Sequence, residues 1–205
     1  MAYDTLASTD VVEKTIAGLK ARNMEGVAIG TKAEALEKIK ELIPAGASVM
    51  NGSSQTLEEI GFIEYLKQGN HGWNNLHKGI IEEQDPAKKA ELRRQSVLSD
   101  YYLGSVHAMT EDGELVIASA SGSQMPHLVY TSPNLILVVS TKKIMPNLDE
   151  AMERLTEYVL PLENERATRV YGGPTSLNQM LIMKGEMPMT GRKIHVLFVN
   201  ESLGY

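Results

Sequence analysis

Four polar segments each follow a short apolar stretch, and their side chains could bind or act on a small anion. They are residues 30–32, 51–56, 105–110 and 140–143, all carrying hydroxyl residues and two of them carrying lysines. Hydroxyl groups donate hydrogen bonds to anions, and a lysine supplies a compact positive charge. These residue types therefore favour a phosphate or a carboxylate as the bound group.

The segment 51–56 combines the most features of an anion site. Gly52 leaves room for the backbone to approach a ligand, the serines can donate hydrogen bonds, and the N-terminus of the following helix would offer free N–H groups. A serine in this place caps a helix in many proteins, and that role stays open beside ligand contact. The candidate ligand-binding residues of this segment are Asn51, Gly52, Ser53, Ser54 and Thr56.

Three further side chains could serve as polar catalytic groups in the same region: Glu59, His107 and Lys143. A histidine titrates near neutral pH and can act as a general base. A lysine can hold a carboxylate or phosphate by its charge. For Glu59, a place in the first turn of a helix favours the plainer role of complementing the helix dipole, and His107 could equally be a packed or solvated histidine. The sequence leaves both possibilities open for each.

The elements that would position these residues alternate between apolar strands and amphipathic helices. Hydrophobic spacing predicts helices over residues 8–24 and 31–43, from 55 onwards, and over 86–98, 147–159 and 176–184. Thr31 and Glu34 have the spacing of a capping box, and residues 147–150 have the composition of a helix N-cap. It predicts strands over residues 27–30, 47–50, 101–106, 115–118, 135–139 and 194–199. Residues 67–85 have the composition of a loop, and Glu111-Asp112-Gly113 is typical of a hairpin turn.

This alternation predicts one α/β domain over residues 1–205, with a mainly parallel sheet covered by helices on both faces. In such sheets ligands bind outside the carboxyl ends of the strands. We therefore expect five of the candidates to surround one concavity although they are far apart in sequence: Ser53, Ser54, Thr56, His107 and Lys143.

Composition excludes several functional classes. The net charge is −6 and the basic residues form no stripe, which argues against nucleic acid. The chain has no cysteine, which excludes disulfides, thiolate nucleophiles and cysteine-ligated clusters. The first residues do not read as a signal peptide, and no apolar run reaches the ~20 residues of a membrane span. We expect a cytoplasmic protein that contacts neither nucleic acid nor membrane.

Local signatures of metal and nucleotide sites are missing from the sequence. His71 and His77 lie near Glu82, Glu83 and Asp85, but their spacing does not match a helical pair of metal ligands. No dinucleotide fingerprint, phosphate-binding loop or nucleophile elbow occurs. We therefore predict no bound metal and no cofactor.

One longer stretch carries a family resemblance. Residues 99–116, SDYYLGSVHAMTEDGELV, resemble the hallmark stretch of the LUD (lactate utilisation) domain family. The similarity continues through residues 121–124, 143–144 and 150–154, and it is also present at residues 54–61 and 199–205. His107 stands where the family commonly has Asn, Ser123-Gln124 where it often has Asn-Arg, and residues 140–142 differ from its usual Gly-x-Asn.

The resemblance implies a fold similar to the sugar-phosphate isomerase and CoA-transferase group, in agreement with the predicted sheet. It also implies a place beside lactate-oxidising systems, in which such proteins accompany iron–sulfur and oxidoreductase subunits. Residues of the third polar segment and of the matching stretch extend the candidate ligand-binding set with Thr110, Ser121, Gly122 and Gln124.

Three functions follow as hypotheses. The first is an accessory or small-anion-binding component of lactate or related organic-acid utilisation, without a redox centre of its own. The alternative is a small-molecule enzyme (an isomerase, a hydrolase or an acyl- or phosphoryl-handling protein) that uses the same strand-end cleft. The third is an interaction module that holds partner subunits together. The sequence leaves a homo-oligomer open.

Overall fold

The computed structural model describes residues 3–205, and a six-stranded sheet forms its centre. All neighbouring strands of this sheet are parallel. In spatial order the strands are β1 (Glu25–Ile29), β10 (Lys193–Val199), β7 (Asn134–Ser140), β4 (Tyr101–Gly104), β2 (Ser48–Asn51) and β3 (Asn74–Asn75). The predicted α/β class with a parallel sheet is confirmed.

The central strand β7 shows why the sheet is covered on both faces. Leu135, Leu137 and Val139 are completely buried in one hydrophobic cluster. Ile136 and Val138, which alternate with them, are equally buried in a second cluster. Because successive side chains of a strand point to opposite faces, a continuous apolar run needs a core on each side.

Helices cover one face of the sheet almost entirely. They are α2 (Lys32–Leu42), α3 (Gln55–Glu59) and α4 (Phe62–Gln68), which bury Ile39, Leu57 and Phe62 against it. A capping box begins α2, as predicted: the Thr31 hydroxyl and the Glu34 carboxylate each bind the other residue's backbone N–H. The predicted single helix after Ser54 is in fact two, because Gly61 adopts a left-handed φ of 81° between them.

The other face is covered by α1 (Thr9–Ala21) and by a second, smaller sheet. Its order is β8 (Ile144–Met145), β5 (Ala108–Thr110), β6 (Leu115–Ser119) and β9 (Gln179–Met183). Strands β5 and β6 form the predicted hairpin, but as part of this separate sheet. The predicted strand over 101–106 is too long, since β4 ends at Gly104 and β5 begins only at Ala108.

Helix α5 (Leu76–Glu82) lies beside β2, α6 (Pro86–Gln95) packs against α5, and a long helical run follows β8. That run consists of α7 (Leu148–Glu153), a π-helical turn (Arg154–Val159) and α8 (Leu160–Tyr171). Within residues 3–205, no helix combines the length and the apolar composition that crossing a bilayer would require.

Two predicted segments differ from the structure. Residues 67–85 were expected to be loop, but they include β3 and α5. The Asn75 side chain caps α5 by accepting a hydrogen bond from the N–H of Lys78. Residues 176–184 were expected to be a short helix, but 179–183 form β9, paired antiparallel with β6. The apolar run in this strand has only four residues, Met180 to Met183, which is too short to distinguish a helical from a strand periodicity.

Candidate functional site

The loops that follow three neighbouring strands lie together at one edge of the large sheet. Because β7, β4 and β2 are adjacent and parallel, their carboxyl ends lie at the same edge of the sheet. A cavity of about 840 Å³ lies at this edge, between the strand-end loops, the β5–β6 hairpin, α6 and α8. Nine predicted site residues line it: Asn51, Gly52, Ser53, Ser54, Thr56, His107, Ser121, Gln124 and Lys143.

Three predicted site residues lie outside the lining of this cavity. Thr110 is buried in the hairpin, where its hydroxyl accepts a hydrogen bond from the N–H of Glu114. Gly122 adopts a left-handed φ of 73° in the loop after β6. Glu59 lies at a smaller neighbouring depression with Arg166 and Tyr205. These three residues do not line the cavity, so the structure does not bring them to the other predicted site residues.

Lys143 is the most deeply buried charged group of the cavity wall, with 3 % of its surface exposed. Its Nζ donates to Thr56 Oγ1, Ser105 Oγ and the carbonyl oxygen of Val106, each at 3.1 Å. Thr56 follows β2, Ser105 follows β4 and Lys143 follows β7. The parallel order of the strands therefore assembles this cluster.

The segment that contains Gly204 closes the cluster on another side. A Cβ at Gly204 would collide with Thr56 Oγ1 and would lie 3.2 Å from Lys143 Nζ, so only glycine fits there. The backbone N–H of Gly204 donates to Glu59 Oε2 at 2.7 Å. This hydrogen bond from Gly204 to Glu59 holds the segment in position over Lys143. The sequence did not predict this contact.

Burial, with the positive charges of Arg154 and Lys142 acting in the same direction and Glu59 opposing them, lowers the pKa of Lys143 to about 7. Arg154 is itself completely buried and donates to the carbonyl oxygen of His107. Within residues 3–205 its Nε and Nη2 atoms have no hydrogen-bond partner. A lysine with a pKa near 7 exists in both protonation states at neutral pH, which suits proton transfer.

His107 is held as a neutral imidazole. Its Nδ1 accepts a hydrogen bond from the N–H of Ala118 at 3.1 Å, which places the ring proton on Nε2. Burial lowers its pKa to about 4, and the charges of Lys143 and Arg154 act in the same direction. His107 therefore presents the cavity with a hydrogen-bond donor rather than with a base.

The structure gives Gly52 a packing role that the sequence did not indicate. A Cβ at this position would lie 2.5 Å from the hydroxyl oxygen of Tyr102. That hydroxyl donates to Gln124 Oε1 at 3.3 Å, and the Gln124 amide in turn donates to the carbonyl oxygen of Ala118 at 2.8 Å. Gly52 makes room for a tyrosine, so close approach of a ligand is not its only reason to be glycine.

Of the two serines of segment 51–56, one fills the capping role left open above. The Ser54 hydroxyl accepts from the N–H of Leu57 and caps α3. The Ser53 hydroxyl accepts from Arg166 Nη2 at 3.3 Å at the cavity wall. Asn51 is buried, and its Oδ1 lies 3.2 Å from His77 Nδ1.

The charge of the cavity wall is positive. Among the described residues, four basic side chains line it (Lys89, Arg93, Lys143 and Arg166) against one acidic side chain, Glu163. Arg166 and Glu163 form a two-pronged ion pair at 2.7 and 2.8 Å. Burial opposes ionisation of Glu163, but the hydrogen bonds from Arg166 and Tyr205 hold its pKa below the usual value. Three basic side chains remain without an acidic partner among the described residues of the wall.

Several of these residues were not among the sequence-based candidates. Lys89 and Arg93 are spaced four apart on α6, which places both on one helical face toward the cavity. The spacing of the two residues can be read from the sequence, but the location of α6 at the cavity cannot, because it depends on the packing of α6 against α5. Arg166 and Tyr102 gave no local signal, because their positions depend on the packing of α8 and on the stacking of Tyr102 on His127.

Comparison with known proteins places the chain in a family. The sequence profile described as LUD domain matches residues 12–199. A search of curated proteins found no match. The crystal structure of a DUF162 family protein from Deinococcus radiodurans is similar with a TM-score of 0.56 and 13 % sequence identity, covering 96 % of this chain and 100 % of that one. That likeness supports the fold, and the profile match supports the family: this chain belongs to the LUD domain family.

Proposed function

We propose that the strand-end cavity binds a small organic anion, a carboxylate or a phosphate, and that the chain serves lactate or related organic-acid utilisation as an accessory component without its own redox centre. One observation carries the binding proposal. The cavity wall has three basic side chains without an acidic partner among the described residues, in a chain whose net charge is −6. A positive concavity in an acidic protein concentrates anions by its local field.

The three basic side chains without an acidic partner lie at two different depths of the cavity. Lys143 lies at the buried end with the hydroxyls of Thr56 and Ser105. Lys89 is half-buried and Arg93 is exposed, so these two lie toward solvent. An anion at the buried end would meet a charge together with donors of fixed direction, which gives orientation as well as attraction.

The link to organic acids rests on the family and on the ligand chemistry of this wall. A carboxylate with a neighbouring hydroxyl, as in lactate, could accept from the Ser105 hydroxyl and from the Nε2–H of His107, with the amine of Lys143 behind the serine. Iron–sulfur and oxidoreductase partner subunits, which the resemblance implies for such systems, would carry any electron transfer. The proposal assigns this chain the binding step.

A thermal-shift screen tests the binding proposal with matched pairs. Lactate is compared with lactamide, and glucose 6-phosphate with glucose, so that each anion has a neutral analogue of nearly the same shape. Acetyl-CoA is added as a larger anion. We expect at least one anion to raise the Tm by ~2–4 °C for each kcal/mol of binding free energy, while its neutral analogue has no effect. No stabilisation by any anion would contradict the proposal.

Catalysis in the same cavity is a second candidate, and one observation favours it. The pKa of Lys143 is lowered to about 7, the range in which a side chain transfers protons efficiently at neutral pH.

A further inference from the structure

The hydroxyl of Ser105 and the amine of Lys143 form a pair with the geometry of a nucleophile and its base. The two heavy atoms are 3.1 Å apart, within hydrogen-bond reach. Ser105 is half-buried and lines the cavity, whereas Lys143 lies almost completely beneath the surface. A ligand in the cavity would therefore meet the serine oxygen with the amine behind it.

We propose that Ser105 is a nucleophile activated by Lys143, and that the cavity hydrolyses or transfers the acyl group of a small anionic ester or thioester. This proposal rests on the proposed function in one respect only: the substrate is expected to be an anion because the cavity is proposed to bind anions. The serine–lysine pair stands on its own geometry.

The surroundings of Lys143 favour a base over a nucleophile. Its Nζ is held by three oxygens, and Gly204 lies against it, so direct attack by the amine would require it to leave all of these contacts. As a base it needs no movement. The carbonyl oxygen of Val106 can only accept, whereas the hydroxyls of Thr56 and Ser105 can either donate or accept. A neutral amine can therefore donate to Val106 and accept the proton of Ser105.

The proposed reaction balances without an oxidant or reductant. Ser105 Oγ bonds to the acyl carbon while its proton passes to Lys143 Nζ. The bond between the acyl carbon and the leaving oxygen or sulfur breaks, and the lysinium returns the proton to that leaving group. Water then attacks the acyl-serine and gives one proton to Lys143, which protonates Ser105 as the carboxylic acid departs. The acid loses its remaining proton to solvent.

Two groups of the wall could stabilise the negative oxygen of the tetrahedral intermediate. The first is the lysinium formed on Lys143, whose charge appears at the moment when the oxyanion forms. The second is His107, whose ring proton lies on Nε2 because Nδ1 is occupied by Ala118. Donors placed before the reaction stabilise such charge strongly in a site shielded from water.

Covalent labelling tests the serine directly. The full chain is incubated with diisopropyl fluorophosphate, a neutral reagent whose binding does not depend on the anion site, and the adduct is located by peptide mass spectrometry. We expect a single modified residue, Ser105. We also expect Ser105→Ala to abolish labelling, and Lys143→Met to slow it by about a hundredfold or more, the usual contribution of a general base.

Ser176→Ala is the matched control. Ser176 is an exposed serine of the same cavity wall, and within the described residues its hydroxyl has no hydrogen bond to a lysine. Its loss should leave labelling unchanged. Circular dichroism and the Tm of each variant show whether the fold is intact. Wild-type protein without an adduct at Ser105, or Lys143→Met labelled as fast as wild type in a folded state, would overturn the proposal.

Turnover distinguishes this inference from the proposed function. Release of p-nitrophenol from p-nitrophenyl hemisuccinate, an anionic ester, is compared with release from the neutral p-nitrophenyl acetate. We expect faster hydrolysis of the hemisuccinate, lost in Ser105→Ala. If anions raise the Tm but Ser105 is neither labelled nor needed for hydrolysis, the nucleophile is rejected and the binding function stands. If Ser105 is labelled but no anion binds, the binding function is rejected alone.

Discussion

The amine of Lys143 lies 3.1 Å from the hydroxyl of Thr56, although 87 positions separate the two residues in sequence. Their contact depends on strand order: β4 lies between β2 and β7 in the sheet, and Ser105 after β4 completes the cluster. A buried amine is thus held by three oxygen atoms at the edge of a parallel sheet. Both proposals for the cavity begin from this cluster.

Lys143 should make the stability of the protein depend on pH in the alkaline range. Its folded-state pKa is lowered from 10.5 to about 7, so between these values the unfolded chain binds one more proton than the folded one. The free energy of unfolding of wild type, relative to Lys143→Met, should therefore rise with pH from about 7 towards 10. The slope should reach at most about 1.4 kcal/mol per pH unit.

Urea denaturation of both proteins at several pH values measures this difference. Lys38→Met is the matched control because it removes the same charge from an exposed i,i+3 ion pair with Glu41. Parallel pH profiles for wild type and Lys143→Met would show that the buried lysine keeps its ordinary pKa.

Gly52 and Tyr102 should be energetically coupled. Gly52→Ala places a Cβ against the tyrosine hydroxyl, which should cost about 1–3 kcal/mol of stability by overpacking. Tyr102→Phe removes that hydroxyl together with its bond to Gln124, a loss of about 0.5–1.5 kcal/mol. The double variant should be more stable than the sum of the single changes predicts. Strict additivity in denaturant unfolding would refute this contact as the reason for glycine.

Glu59 should control how firmly residues 200–205 cover the lysine. Glu59→Gln weakens the charge-assisted bond to the N–H of Gly204, so amide hydrogen exchange in this segment should become faster. Glu58→Gln is the control, since Glu58 is exposed on the same short helix. Equal exchange rates in the two variants would mean that Glu59 does not hold the segment.

His107 and His127 should remain neutral until the pH is well below the usual range. Burial lowers the pKa of each to about 4 from 6.5. Because the unfolded chain takes up protons first, stability should fall as the pH decreases from about 6.5 to 4. A titration followed by histidine NMR resonances, repeated in urea as the unfolded reference, measures both effects. Midpoints near 6.5 in the folded protein would contradict the buried neutral state.

The sequence predicted the parallel sheet and most strands because buried strands carry continuous apolar runs, as β7 does. It also placed the polar segments at strand ends, which brought Thr56, His107 and Lys143 to one cavity. Local chemistry was enough for these steps, as it was for the caps at Thr31 and Asn147. In each case the signal lies within a few residues.

Features that depend on packing between distant segments were not predictable in this way. The second sheet requires β9 to pair with β6, and Gln179–Met183 alone has no clear periodicity. The position of Arg166 against Ser53 depends on where α8 lies across the cavity. The need for glycine at position 52 depends on the Tyr102 side chain. Ser105 stood in a recognised polar segment, but only the structure puts its hydroxyl beside an amine.

Binding of inorganic phosphate at Lys143 tests the central claim most directly. Isothermal titration calorimetry compares the phosphate affinity of wild type, Lys143→Met and the control Lys38→Met. Both variants lose one basic side chain, so a difference between them reports the position of that side chain and not the net charge of the protein. The account predicts that wild type and Lys38→Met bind phosphate alike, and that Lys143→Met binds at least about tenfold more weakly, a loss of about 1.4 kcal/mol. Equal phosphate affinity in Lys143→Met and wild type, or no binding to wild type, would contradict it.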